Sequence, residues 1–283
     1  MRKWLLTSLT VILAFTLAAC GGGNDKENTN ASGSKEEQSE GLLDDGKLTV
    51  GATAGPHEQI LEKVKELAAK QDLDIEVKVF TDYVMPNIAL DEKELDLNVF
   101  QTIPYLDQFK EDRNLDLVNV GEAVTFPMGI YSSKVKDVQE LPKGAKLGLP
   151  NDPTNGGRAL VLFEKAGLIK LKEGSGNTPA VKDIEENSND FEFVELEASQ
   201  IPRQLDELDA AAINTNFAIE HGFKPGKDSI FIESKDSPWV NVVAARAESK
   251  DDEAIQKFLD VYRTDEVKQF IDETFEGSVI PSW

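Results

Sequence analysis

The chain has 283 residues, 52 of them acidic against 30 basic, for a formal net charge of −22. A surface this acidic repels phosphate backbones and bare anionic lipid, which excludes nucleic acid as a partner. One cysteine excludes an intramolecular disulfide, and 40% hydrophobic residues suit a soluble body that stands on its core alone.

Arg2 and Lys3 precede an uncharged run, Trp4 to Ala19, rich in Leu, Val, Ile, Ala and Phe. The run is short for a membrane span and fits the apolar region of a signal peptide over residues 1–19. It ends Leu17-Ala18-Ala19-Cys20 ahead of three glycines, which resembles the bacterial lipobox. Cys20 is then the lipidation site, carrying diacylglycerol and a fatty acid such as palmitate, and the protein is tethered to a membrane without spanning it. Residues 20–46 are mostly Gly, Asn, Ser, Lys, Asp and Glu and read as a flexible tether. Roughly 235 residues remain, enough for two lobes.

From there helix and strand signals alternate. Lys47 to Thr53 reads as a strand, and Gly55-Pro56 opens a helix with Ile60, Leu61, Val64, Leu67 and Ala68 at helical spacing. Asp74 to Phe80 alternates with period two, as a strand does. A helix near 86–94, a strand at 95–100, a helix at 104–113 and a strand at 116–120 follow. The second half predicts a strand at 146–149, a turn at 150–155, a helix at 156–167, a strand at 191–197, a helix at 200–208 and a buried strand at 210–213. The chain ends in helices carrying Ile255, Phe258, Leu259 and Tyr262, then Val267, Phe270 and Ile271.

This alternation argues for an α/β fold with mainly parallel sheets. Two apolar stretches look like crossings between lobes: 118–131, centred on Pro127, and 240–245, a second apolar strand leading to the final helices. One lobe is then discontinuous, 47–125 with 245–283, and the other spans 126–244. Ligands of such proteins lie between the lobes.

Catalytic signals are missing. His57 and His221 are the only histidines, and both read as structural or solvated. There is no nucleophile elbow, no zinc-protease pair and no phosphate-cradling loop, and the acidic clusters lack calcium-loop spacing. The chain therefore reads as no enzyme, with no cofactor and no metal site. The binding signal is stronger. Asn151 to Arg158 sets polar residues and glycines at a helix start, where unpaired N–H groups and a first-turn Arg158 make a plausible carboxylate socket. An ordinary capped helix with a surface arginine explains the same residues equally well.

Several segments together resemble the NlpA-type lipoproteins, the methionine-binding lipoproteins of ABC importers. They are Phe80 to Tyr83, Asn98 to Leu106, Pro150 to Leu160, Val194 to Ala198, Ile213 to Asn216 and Ser237 to Asn241, in the family's order. The resemblance implies a two-lobed, periplasmic-binding-protein-like α/β fold with two interlobe crossings. It implies a monomer that holds one amino acid, above all methionine, and delivers it to an importer's permease on the extracytoplasmic side of the cell membrane. By motif, Arg158 would pair with the ligand carboxylate, and Asn155, Asn214 and Asn241 would hold the ligand's polar backbone. Tyr83, Phe100 and Tyr105 would wall the side-chain pocket. Thr102 stands where the family has His, and Trp239 where it has Tyr. Those departures leave open a methionine-containing dipeptide or another apolar amino acid. A surface protein that contacts other proteins is the alternative of another class.

Overall fold

The computed structural model describes residues 41–43, 46–176 and 178–283. The expected signal peptide, Cys20 and most of the tether lie outside the described residues, which fall within one compact unit, Ser39–Trp283. In chain order the elements are β1 (Leu48–Thr53), α1 (Pro56–Ala68), β2 (Ile75–Phe80), α2 (Met85–Asp91), β3 (Leu97–Thr102), α3 (Ile103–Arg113), β4 (Leu117–Thr125), β5 (Gly129–Tyr131), β6 (Lys146–Pro150), α4 (Pro153–Lys165), β7 (Lys170–Leu171), β8 (Ile184–Glu186), β9 (Glu192–Leu196), α5 (Ile201–Gln204), β10 (Ala210–Ile213), α6 (Thr215–Glu220), α7 (Pro225–Asp228), β11 (Ser229–Ile232), β12 (Val240–Arg246), α8 (Glu253–Tyr262), α9 (Asp265–Phe275) and β13 (Ile280–Pro281).

The strands form a six-stranded sheet, order β13-β4-β12-β3-β1-β2, and a five-stranded sheet, order β11-β5-β10-β6-β9, with β7 and β8 as a small hairpin. The fold is α/β, as expected, but the sheets are mixed rather than mainly parallel. β1 pairs parallel with β2 and β3, and β6 with β9 and β10. β12 runs antiparallel to β3 and β4, and β5 antiparallel to β10 and β11. The topology explains the reversal. Strands joined by helical crossovers run one way. β5 and β12 each arrive from the other sheet, so they start at the shared edge and run the opposite way.

Two passages connect the sheets: Phe126 to Met128, and residues 233–239. The stretch 240–245, expected to be an apolar strand at a crossing, is the strand β12, paired on both sides within the six-stranded sheet. Its apolar run reflects that double pairing and burial, because a central strand is covered on both faces. Thr215 Oγ1 donates to Pro127 O and fastens the first passage to α6.

Each sheet carries its own core. On the six-stranded sheet α1, α8 and α9 bury Ile60, Leu61, Val64, Phe258, Tyr262 and Ile271, and α2 and α3 cover the opposite side with Leu90 and Leu106. Each such aliphatic side chain contributes roughly 1.5–3 kcal/mol on burial. Gly55 caps α1 at φ +85°, a backbone conformation L side chains avoid, and a Cβ there would lie 3.3 Å from Glu220 on α6. On the five-stranded sheet α4 packs Leu160, Leu162 and Phe163 against Leu147 and Leu149. A further cluster joins Tyr83, Phe100 and Tyr105 to Phe217, Ile201 and Ile213, and so spans from one sheet's helices to the other's.

Candidate ligand-binding site

All eight ligand-site residues expected from the sequence line one cavity between the two sheets. Phe100 and Thr102 come from the C-terminal end of β3, Tyr105 from the first turn of α3, and Asn241 from the start of β12. Tyr83 sits in the loop after β2. Across the cavity, Asn155 and Arg158 come from α4 and Asn214 from the N-cap of α6. Gln101, Phe126, Thr215 and Asn216 complete the wall.

Local sequence explains how α4 presents its residues. Asp152 caps the helix, accepting from Asn155 N at 2.8 Å, and Pro153 takes the first helical position. The helix therefore starts before Gly156, inside the segment expected to be a turn, and Arg158 falls in its second turn rather than its first. Gly156 lets the helix approach β6: a Cβ there would lie 2.6 Å from Pro150 O.

Arg158 is buried and already paired. Its Nε donates to Glu233 Oε1 at 2.9 Å, and its Nη2 donates to Glu233 Oε2 at 2.6 Å and to Phe126 O at 2.7 Å. The Trp239 ring lies 5.2 Å from the guanidinium carbon. A guanidinium has five N–H donors; these bonds engage Nε and Nη2, and the remaining two donors sit on Nη1. A surface arginine is therefore not what the structure contains. A free charge is not what it contains either, and Glu233 gave no signal in the sequence. Trp239, which stands where the family has Tyr, places its ring against the Arg158 guanidinium.

The amides form a relay. Asn155 Nδ2 donates to both carboxylate oxygens of Asp152, at 3.1 and 3.0 Å, while its Oδ1 accepts from Asn214 Nδ2 at 2.8 Å. Asn155 thus bridges Asp152 and Asn214 while lining the cavity. Asn214 Oδ1 is left buried without a partner, and so is Asn216 Nδ2, among the described residues. Buried amide atoms without partners are costly, and both of these belong to residues that line the cavity. Burial pushes the Asp152 carboxyl above its usual range, against the pull of the Asn155 and Thr154 hydrogen bonds.

The aromatic wall is held from both sides. Tyr83 Oη donates to Asn216 Oδ1 at 2.6 Å, and Tyr105 Oη donates to Tyr83 O at 3.0 Å. Tyr83 lies 5.9 Å from the Phe100 ring and 4.8 Å from Phe217. Desolvation raises both tyrosine hydroxyls far above their ordinary range, with the Asp152 charge adding to it, so both stay protonated donors. Behind β3, Asn87 Nδ2 donates to Gln101 Oε1 at 2.7 Å, Gln101 Nε2 donates to Asn87 Oδ1 at 2.7 Å, and Asn98 joins the same cluster. This amide cluster fixes the strand end that carries Phe100 and Thr102. Phe126, absent from the sequence expectations, packs its ring 4.7 Å from His57. His57 is buried, and desolvation lowers its pKa to about 3, so it is neutral. Among the described residues no group of three or more His, Cys, Asp or Glu could hold a metal ion.

The family profile of the NlpA lipoproteins matches residues 48–283. The D-methionine-binding lipoprotein MetQ of Salmonella typhimurium is 44% identical over 271 residues, covering 95% of this chain and 94% of the relative. MetQ of Escherichia coli is 44% identical over 243 residues, covering 85% and 90%. Among solved structures, a nutrient-binding protein from Burkholderia cenocepacia bound to methionine superposes with a TM-score of 0.82 at 43% identity, covering 83% of this chain and all of that one. A periplasmic substrate-binding protein of an ABC transporter from Coxiella burnetii gives 0.81 at 38%, with 83% and 100% covered. The motifs quoted from the sequence fall inside the matched span, and by that match this chain belongs to the NlpA lipoprotein family.

Proposed function

We propose that this chain is the methionine-binding lipoprotein of an ABC transporter, a receptor that encloses one amino acid and passes it to the permease. The observation that carries the reading is the cavity itself, which gathers a buried arginine, unpartnered amide atoms and an aromatic wall in a member of a family with a methionine-bound structure at 43% identity. The Arg158 Nη1 donors suit the ligand carboxylate. Asn214 Oδ1, backed by Asn155 and Asp152, suits the ammonium. Tyr83, Phe100 and Tyr105 offer aromatic faces to a thioether, with Thr102 and Asn241 closing the β3–β12 side.

In this reading the two sheets are the cores of two lobes that close on the ligand. The first is 47–125 with 245–283, joined by the preceding strand Val240–Ala245, and the second is the rest of 126–244; the passages at 126–128 and 233–239 act as hinges. Cys20, acylated after removal of residues 1–19, anchors a monomer on the extracytoplasmic face. No helix among the described residues is long and apolar enough to cross a membrane. The named relatives are binding proteins of transporters rather than enzymes. The test is mass spectrometry of what purified protein releases on denaturation, followed by calorimetry with an amino-acid panel. Methionine released and bound most tightly is the expected result, and no binding by any amino acid would reject the proposal.

A further inference from the structure

Glu233 directly follows β11, which ends at Ile232, and begins the second passage. Its backbone N–H donates to Met128 O at 2.9 Å, stitching that passage to the first. Its side chain is 6% exposed and accepts from every side: Arg158 through Nε and Nη2, Met128 N at 2.9 Å and Ser237 Oγ at 3.1 Å. Glu233 does not line the cavity, whereas Arg158 does and is the charged residue in its wall.

We infer that Glu233 is a specificity-determining residue: it neutralises Arg158 from behind and so sets the cavity for a ligand with no net charge. An uncompensated guanidinium in a closed, poorly solvated cavity attracts a carboxylate but repels an ammonium in the same molecule. With Glu233 fixed at hydrogen-bond distance, Arg158 keeps its Nη1 donors while its long-range field is cancelled. A zwitterion then fits, and a singly charged derivative with the same side chain does not gain. The orientation of Arg158 does not rest on Glu233 alone, because Phe126 O and the Trp239 ring also hold the guanidinium. Asp152 is another acidic group near the cavity, and Asp82 and Glu197 also act on Tyr105; none of them changes between the variants. Asp152 stands behind Asn155 and contributes equally in every comparison below.

This inference rests on the proposal that methionine is held by its carboxylate at Arg158. The experiment measures binding of methionine, N-acetylmethionine (anionic) and methioninamide (cationic) by calorimetry on wild type, Glu233→Gln and Glu233→Asp. In Glu233→Gln the affinity ratio of N-acetylmethionine to methionine should rise at least about tenfold, equal to roughly 1.4 kcal/mol, and that of methioninamide to methionine should fall. Glu233→Asp keeps the charge, so its ratios should stay within about threefold of wild type even if every affinity drops. A Glu233→Gln protein that loses all three ligands by one common factor overturns the inference, since a merely structural role acts that way. If Glu233→Gln does not fold, the same ratios are read on Glu233→Ser, which also removes the charge: the same tenfold rise for N-acetylmethionine supports the inference, and a loss of all three ligands by one common factor overturns it. Wild type that binds no methionine fails the functional proposal instead.

Discussion

Replacing Arg158 with Ala should damage both stability and binding, and the structure separates the two. Glu233, 6% exposed in the intact pair, would keep Met128 N and Ser237 Oγ as its donors among the described residues. Removing one partner of a buried ion pair costs about 3–5 kcal/mol, because the other charge is left uncompensated. For a body of this size that is a melting-temperature loss of roughly 6–20 °C. Binding should fall separately, by about 2–5 kcal/mol, since the ligand carboxylate would have lost its charged donor in a closed cleft. Urea unfolding followed by circular dichroism gives the first quantity, and calorimetry at a temperature where the variant is fully folded gives the second. Arg158→Met combined with Glu233→Leu should recover most of the stability, because apolar replacement of a buried pair is often near neutral, and recover none of the binding. A single variant that loses under about 1 kcal/mol of stability would show that Glu233 is not desolvated as the structure has it. Unchanged methionine affinity in that variant would place the carboxylate elsewhere.

His57 predicts an acid limb to stability. Its folded pKa, about 3, lies below the ordinary 6.5, so the unfolded chain takes up the proton first. The contribution is complete above pH 6.5 and is lost as the pH falls toward 3, at up to about 1.4 kcal/mol per unit; His57→Phe should flatten the unfolding free energy between pH 6 and 4 relative to wild type, and parallel curves would refute this. Gly156→Ala puts a Cβ 2.6 Å from a backbone carbonyl, so α4 must shift and methionine affinity should drop at least about tenfold, or 1.4 kcal/mol, by calorimetry. Wild type should bind methionine more tightly than glycyl-methionine, and Thr102→His, which adds volume to the wall, should widen that gap; a dipeptide preference in wild type would overturn the ligand assignment. Cys20→Ser should abolish lipid labelling and release the protein from membranes, and normal membrane recovery of labelled variant would refute the anchor.

Much of this molecule is written locally. The alternation of Ile75 to Phe80 marks β2, the spacing of Ile60, Leu61 and Val64 marks the buried face of α1, and Gly55-Pro56 marks its start, because period and backbone preference act over a few residues. The aromatic and amide residues of the cavity were legible through short motifs, each a stretch of one strand end or helix start. Tertiary structure decided the rest. The strand Val240–Arg246 was legible as an apolar run, but its central antiparallel place between β3 and β4 depends on which sheet receives it. Asn155 lines the cavity, and only the meeting of α4 with α6 adds that its Oδ1 accepts from Asn214 Nδ2. Phe126 joins the cavity wall because the first passage runs along it. The pairing of Arg158 with Glu233 joins residues 75 positions apart in the chain. No local rule couples them; the contact exists because the topology brings the second passage back beside α4, where two charges left without water must find each other.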